Sequence, residues 1–403
     1  MNIVLPLEES WRGVLDAVAR EHRWPTSRDP ERLGASVAAL SASYNGLSDM
    51  PTTGERALAA RLGFSFARDV PKAAAAVREV VCHLGLDQET PVRLLDVGAG
   101  LGAMTWGVLR ALRGHGHAQT MEALWMDTDA RALALGQAIV EHSGQTALQV
   151  RHLVQRVHAP AGRFHLVLMG QVLSELDREL EPNEDKRADR HADLLMGFVD
   201  LLTPDGALVV VEPALRDRTR HLHRVRDRLV TRGVPLFAPC LHDRGCPMLE
   251  TRDDWCHEKL AVDLPSWLVP VARVAGLRYQ GLTFSYAVFR RSAGKVGDRL
   301  GGAGKLRVVS DLLRTKGKRE VLLCGDLEGR CLVRTTRLDR DGTLANATFE
   351  TLSRGELVRV EGATCGVQGF RIERTTLVER SVRESPGNLP QARGLGTATV
   401  RER

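Results

Sequence analysis

The sequence predicts an α/β protein. Its body is a mostly parallel sheet with helices on both faces, preceded by a helical region and followed by a small β-barrel. Three observations predict this. Between Pro91 and Pro213, short apolar runs alternate with stretches of helical periodicity, the pattern of βαβ units. The run VRLLDVG leads directly into AGLG, a glycine-rich turn between a strand and a helix. After Arg291 the texture changes to short β-rich runs separated by turns.

Residues 1–88 read as helical. SWRGVLDAVARE and DVPKAAAAVREVVCHLG carry apolar residues at helical spacing. Between them, Thr52 or Thr53 is placed to cap a helix. The sheet domain spans 89–292. VRLLDVG, MEALWMD, FHLVLMG and GALVVVEP are its clear strands, and MTWGVLRALRG and ARALALGQAIVEH are helices between them. Right-handed crossovers place the loops after these strands along one edge of the sheet. SAGKVGDRLGGAGK is a Gly- and Lys-rich linker. VLLCG, CLVRTTRL and ELVRVEG then predict a basic barrel of about five strands over 305–375. The tail, 376–403, reads as disordered.

With 43% hydrophobic and 26% charged residues, the 403-residue chain has the composition of a globular protein with room for a sizeable core. The first residues show no basic stretch leading into an apolar one, and no apolar run is long enough to cross a bilayer. A cytoplasmic protein that is monomeric when free and does not engage a membrane is the expectation. The net charge of +6 is uneven. From Arg290 to Arg403 there are 23 Lys and Arg against 14 Asp and Glu, a balance of +9. A basic C-terminal third suits an anionic partner such as nucleic acid, although a solvated basic surface gives the same count.

LLDVGAGLGAMTW places Asp96, Gly98, Gly100 and Gly102 after a strand and at the start of a helix. A dinucleotide's pyrophosphate is served by helix N–H groups with no carboxylate nearby. S-adenosylmethionine instead carries an ammonium and a sulfonium, so an acid such as Asp96 near its amino group is favourable. Asp127 ends the next strand, where a carboxylate accepts hydrogen bonds from ribose hydroxyls. These five residues are the candidate cofactor site.

Three of the seven cysteines, Cys240, Cys246 and Cys256, fall within one loop-like stretch (236–260) together with His242 and His257. In a reducing compartment such density suits a soft metal better than disulfides. The spacing fits neither a zinc-knuckle pair nor a ferredoxin run. Two arrangements stay open: zinc on the three cysteines with His242 or His257, and an iron–sulfur cluster with a remote fourth cysteine. Cys324 is the first remote candidate and Cys331 the second. Pro239-Cys240 also has the form of a cytosine-5 methyltransferase nucleophile, but it follows the strand and helix after GQVLSEL, too late in the sheet for that role.

The chain resembles the methyltransferase-like assembly factors of the mitochondrial small ribosomal subunit and their bacterial relatives. The resemblance lies in LSASY, FARDVPKAAAAV, LLDVGAGLGAMTW, FHLVLMGQVLSEL, VVVEP, RLVTRGVPLFAPCLHDRGCP, DDWCH and LTFSYAVFRR, and it spans residues 40–335 or so. It implies a Rossmann-like methyltransferase sheet, S-adenosylmethionine, and a [4Fe–4S] cluster on Cys240, Cys246, Cys256 and Cys324. Asp254 and Trp255 would then support the cluster loop. The implied partner is small-subunit ribosomal RNA or a small-subunit precursor. Where the family continues VVVEP with Gly-Thr-Pro, this chain has Ala214-Leu215-Arg216. It also lacks an Asn-Pro-Pro-Tyr type motif for methylating a base amine. Glu175 and Glu212 are the acids nearest the methyl-transfer edge and the candidate catalytic residues. Methyl transfer to RNA and non-catalytic RNA binding during subunit assembly are both compatible with these features.

Overall fold

The computed structural model describes residues 4–44, 54–176, 181–292, 294, 304–327, 330–366 and 369–381. The expected helical region comprises α1 (Glu9–Glu21), α2 (Pro30–Tyr44), α3 (Glu55–Ala60) and α4 (Phe66–Val77). A π-helical turn at Arg61–Ser65 joins the last two. Thr52 and Thr53 lie outside the described residues.

The sheet domain follows as β1 (Val92–Val97), α5 (Ala103–Gly114), β2 (Met121–Asp127), α6 (Ala130–Ser143), β3 (Leu148–Val154), β4 (Phe164–Gly170), α7 (Glu184–Val199), β5 (Leu202–Glu212), α8 (Arg216–Thr231), β6 (Leu236–Ala238), β7 (Glu258–Leu260), α9 (Val269–Val274) and β8 (Leu282–Arg290). The strand order is β3-β2-β1-β4-β5-β8-β6. The first five strands run parallel, while β8 lies antiparallel between β5 and β6. This is a Rossmann-like sheet closed by a reversed strand. The order turns back between β1 and β4, so the loops after those strands flank a crevice where ligands bind.

Helices cover both faces, which is why the strands read as continuous apolar runs. Leu94, Leu166 and Val209 point into one core, and Leu95, Val167 and Val210 into the other. The helical region joins the first core. The ring centroids of Trp11 and Trp106 lie 4.7 Å apart, edge to face, and α4 packs directly on α5. A Cβ on Gly107 would fall 2.3 Å from that of Ala73, so only glycine permits this approach.

The C-terminal β-domain is larger than expected. Eight strands replace the anticipated five: β9 (Lys305–Val308), β10 (Leu313–Thr315), β11 (Lys318–Leu327), β12 (Arg330–Leu338), β13 (Leu357–Glu361), β14 (Thr364–Gly366), β15 (Gly369–Ile372) and β16 (Leu377–Ser381). They pair in the order β14-β15-β12-β11-β9-β13-β16, with β10 on β11. The β12–β15 pair is parallel, and no pairing among the described residues joins β14 to β16. The disordered tail expected from 376 begins too early. Leu377–Ser381 pairs antiparallel with β13 and buries Val378, and residues 382–403 lie outside the described set. Most of the linker does too. Among the described residues no helix is long and apolar enough to cross a membrane.

Candidate functional site

The ends of β1, β2 and β4 open into a cleft of about 860 Å³, roofed by α2, the π-helical turn and α4. The glycine turn forms its floor. Gly100 takes φ +52°, and a Cβ there would meet nothing within 4 Å, so its backbone is open to a ligand. Gly102, at φ +80°, serves packing instead, because a Cβ would lie 2.2 Å from the Trp125 ring. Gly98 and Gly100 line the cleft and Gly102 does not.

Asp127, at the end of β2, lines the cleft. Its Oδ2 accepts from the Gly100 N–H at 2.9 Å and its Oδ1 from the Asp129 N–H at 2.9 Å. Asp129 caps α6. The carboxylate thus braces the glycine turn, and each oxygen keeps a lone pair for a ligand hydroxyl.

Asp96 is placed differently from the expectation. It is fully buried and does not line the cleft. Its Oδ2 accepts from the Thr105 N–H at 3.1 Å and from the Thr105 hydroxyl at 2.7 Å, and Trp125 donates to that hydroxyl at 2.8 Å. Burial pushes its carboxyl up to about 7. A role beside a cofactor's amino group therefore gives way to one under the turn, where the side chain ties β1 to the start of α5.

The two candidate catalytic acids separate. Glu175 lines the cleft, and desolvation raises its pKa while Arg61 and Arg218 pull it down. Glu212 is 1% exposed and does not line the cleft. Its Oε1 accepts from the Leu173 N–H at 2.9 Å, and burial pushes it up to about 7. Glu212 therefore shapes the turn after β4 from behind.

Sequence reasoning missed the cations of this cleft. Arg61 donates to the Tyr44 hydroxyl at 2.6 Å, and Arg218 to the Tyr44 carbonyl at 2.5 Å. Arg68, Lys72, Arg156 and Arg190 also line it. Their signal was weak because each lies on a helix or loop whose surface would carry arginine anyway.

Beside β8 and the edge strand β6, Cys240, Cys246, Cys256 and Cys324 line one small cavity of about 40 Å³ together with His242 and His257. Three come from the irregular loop after β6. Cys324 comes from the outer face of β11, beside Leu322 and Leu332, which pack against the loop with Met248 and Val309. Cys331 does not line this cavity. It is buried one residue before Leu332, the cross-strand partner of Cys324, and lines a separate cleft with Arg244, Gly245, Cys246, Leu249 and Glu250.

One face of α8 holds the loop. Arg220 donates to the carbonyls of Met248, Thr251 and Asp254 at 2.7–2.8 Å. Arg226 donates to the His242 carbonyl at 2.6 Å, and Asp227 accepts from the Cys246 N–H at 3.0 Å. His223 accepts from the Cys256 N–H at 3.3 Å. These positions share a helical face. Trp255 donates to the Ala214 carbonyl at 3.1 Å, in the turn where the chain departs from Gly-Thr-Pro. Asp254 accepts from the Thr251 hydroxyl at 2.6 Å.

Among the described residues, no group of three or more His, Cys, Asp or Glu is arranged as a ready metal site. The donor set nevertheless fits a soft metal in chemistry. Burial first, and then the neighbouring thiols, push Cys246 and Cys324 well up and Cys256 up to about 12. A bound cation would stabilise the thiolate form that burial and neighbouring sulfurs disfavour. The Cys324 sulfur also lies 3.5 Å from His242 Nε2, so an imidazole is within reach of the same place.

The family described as mitochondrial small ribosomal subunit Rsm22 matches residues 65–349, well over half of the sequence. The chain belongs to the Rsm22 family. The match covers the glycine turn, both candidate acids and all four converging cysteines. No curated protein matches the chain. Among solved structures, it is similar to a putative class I S-adenosylmethionine-dependent methyltransferase from Listeria monocytogenes. That match has 14% identity over 71% of this chain and 88% of the other, with a TM-score of 0.37. It is also similar to a methyltransferase from Pyrococcus furiosus (11% identity, 52% and 80% coverage, TM-score 0.31). A third is magnesium protoporphyrin IX methyltransferase from Synechocystis PCC 6803 (13%, 56% and 84%, 0.32). The fold of this Rsm22-family chain rests on its own strand order.

Proposed function

We propose that this Rsm22-family chain binds S-adenosylmethionine in the cleft, holds a [4Fe–4S] cluster on Cys240, Cys246, Cys256 and Cys324, and acts on small-subunit ribosomal RNA during subunit assembly. The observation that carries the reading is the pairing of an open Gly100 backbone with Asp127 at the end of the neighbouring strand. That pairing suits a ligand with a ribose next to a part that must pass close over the turn. The family's description supplies the small subunit. Arg61, Arg156, Arg190 and Arg218 around the cleft supply the charge that a phosphate backbone needs.

A cluster would give the cysteine loop and the β-domain a shared covalent anchor, because its ligands come from both. Zinc on the same thiols, with His242 in place of one of them, is the alternative.

One observation favours RNA binding without methyl transfer. Of the two candidate catalytic acids only Glu175 lines the cleft, and the charges of Arg61 and Arg218 pull its pKa down, which weakens it as a base. Transfer to purified small-subunit RNA, measured with labelled cofactor, separates the two readings. Incorporation that disappears in Asp127→Ala supports an enzyme. Salt-sensitive RNA binding with no incorporation supports an assembly factor, and absence of both contradicts the proposal.

A further inference from the structure

We infer that Arg68 and Lys72 hold the α-carboxylate of S-adenosylmethionine in the part of the cleft beside Gly98, with Asp69 and Gln171 aiming them. The inference rests on the cofactor reading above and adds which residues recognise the amino-acid end. The segment FARDVPK marks this part of α4 in the sequence.

A chain of contacts fixes the distance-keeping. Asp127 bonds Gly100 at 2.9 Å. Two residues back, a Cβ on Gly98 would meet Val172 at 2.5 Å. Beside Val172, Gln171 donates from Nε2 to Asp69 Oδ2 at 3.1 Å. The other oxygen of Asp69 accepts from Lys72 Nζ at 2.9 Å and Arg68 Nε at 3.1 Å. All four side chains line the same cleft as the glycine turn. A ligand whose ribose meets Asp127 and whose middle crosses the turn brings its far end to this cluster.

The cluster is built for an anion. Two cations share one carboxylate, which leaves an excess positive charge where the Lys72 side chain is only 13% exposed and that of Asp69 14%. Such a charge is costly unless a partner arrives. Among the described residues, Arg68 and Lys72 donate hydrogen bonds only to Asp69. Lys72 keeps two N–H donors and the Arg68 guanidinium four. Burial lowers the Lys72 pKa and Arg68 lowers it further, the direction expected of a cation waiting for an anion.

The placement is also held rigidly. Gln171 adopts φ +62°, a left-handed conformation that is strained for a non-glycine residue and persists where the surroundings enforce it. Its N–H is fixed on the Val211 carbonyl at 2.7 Å. The close α4–α5 packing at Gly107 keeps Arg68 and Lys72 from drifting away from the turn where α5 begins.

Calorimetric titration of the full chain with three ligands tests this: S-adenosylmethionine, its decarboxylated analogue, which keeps the ammonium, and 5′-methylthioadenosine, which lacks the amino-acid end. Wild-type protein is expected to bind S-adenosylmethionine at least about tenfold more tightly than the decarboxylated analogue. Arg68→Gln and Lys72→Met should weaken S-adenosylmethionine toward that lower affinity while leaving 5′-methylthioadenosine within about twofold. Lys72→Met strands Asp69 and can misfold. Arg68→Gln, at a half-buried position, is the second variant, and 5′-methylthioadenosine binding reports an intact pocket. No discrimination in the wild type, or equal weakening of all three ligands in Arg68→Gln, overturns the inference. Failure of the folded wild-type protein to bind any of the three overturns the cofactor reading itself.

Discussion

Arg307, on the first strand of the β-domain, donates to both carboxylate oxygens of Glu79 at 2.9 and 3.3 Å, and neither side chain is more than 5% exposed. Glu79 also accepts from the Tyr286 hydroxyl at 3.0 Å. The pair joins the helical region, β8 and the β-domain beside the cysteine cavity, which Arg307 and Tyr286 also line.

Breaking one side of a buried pair leaves the other charge uncompensated, at a cost of about 3–5 kcal/mol. Glu79→Gln should lose stability on that scale in a denaturant titration at pH 7. The Arg307 guanidinium and neighbouring donors hold the Glu79 carboxyl below its ordinary value against the push of burial. Its contribution is therefore present above the unfolded carboxylate pKa, about 4.3, and lost as pH falls through the folded value. The gap between wild type and Glu79→Gln should narrow as pH is lowered toward 3. A gap that stays constant would contradict the pairing.

Asp96 has the opposite sign. Its folded pKa is raised to about 7, so the folded state holds a proton that the unfolded chain releases near 3.9. Its contribution is fully present below that unfolded value and declines as pH rises toward 7. Asp96→Asn keeps an acceptor for Thr105 and removes the titration. It should compare more favourably with wild type at pH 8 than at pH 5 in thermal melts.

Gly102→Ala should cost about 2–4 kcal/mol. The new Cβ meets the Trp125 ring at 2.2 Å in a left-handed backbone, which combines overpacking with αL strain. Trp125 donates to Thr105, which in turn holds Asp96, so cofactor affinity should fall with stability. Gly100→Ala has no such clash and should cost only the αL strain of about 1–2 kcal/mol.

Anaerobically purified protein should contain iron and sulfide. Cys240→Ser, Cys246→Ser, Cys256→Ser and Cys324→Ser should each lose them, while Cys331→Ser keeps them. Stoichiometric zinc without sulfide would replace the cluster with a zinc site, and retention of iron in Cys324→Ser would remove the β-domain from the ligand set.

The sheet was legible because its strands are buried on both faces and end in Asp and Gly turns. β3 left a weaker trace, since it is an edge strand with most of its residues exposed. Asp127 could be read from its place at a strand end. The burial of Asp96 and Glu212 could not, because an acid at the end of a strand has the same sequence signature whether it faces a ligand or a backbone donor. The convergence of Cys324 with the loop depends on how the β-domain docks. The Arg307–Glu79 pair that records this docking spans 228 residues, far beyond any local pattern. Lys72 and Gln171 were hidden for a similar reason: one lies on an alanine-rich helix and the other in a turn, and only the fold brings them together.

The central claim is that Asp127 and the open turn at Gly100 form a cofactor site. Equilibrium binding of S-adenosylmethionine to the wild type and to Asp127→Ala tests it most directly, with melting temperature as a check on folding. The account predicts one site per chain, weakened at least about tenfold in a folded Asp127→Ala, the scale of a lost charge-assisted hydrogen-bond pair to a ribose. Undiminished affinity in Asp127→Ala, or no binding by the folded wild-type protein, would contradict it.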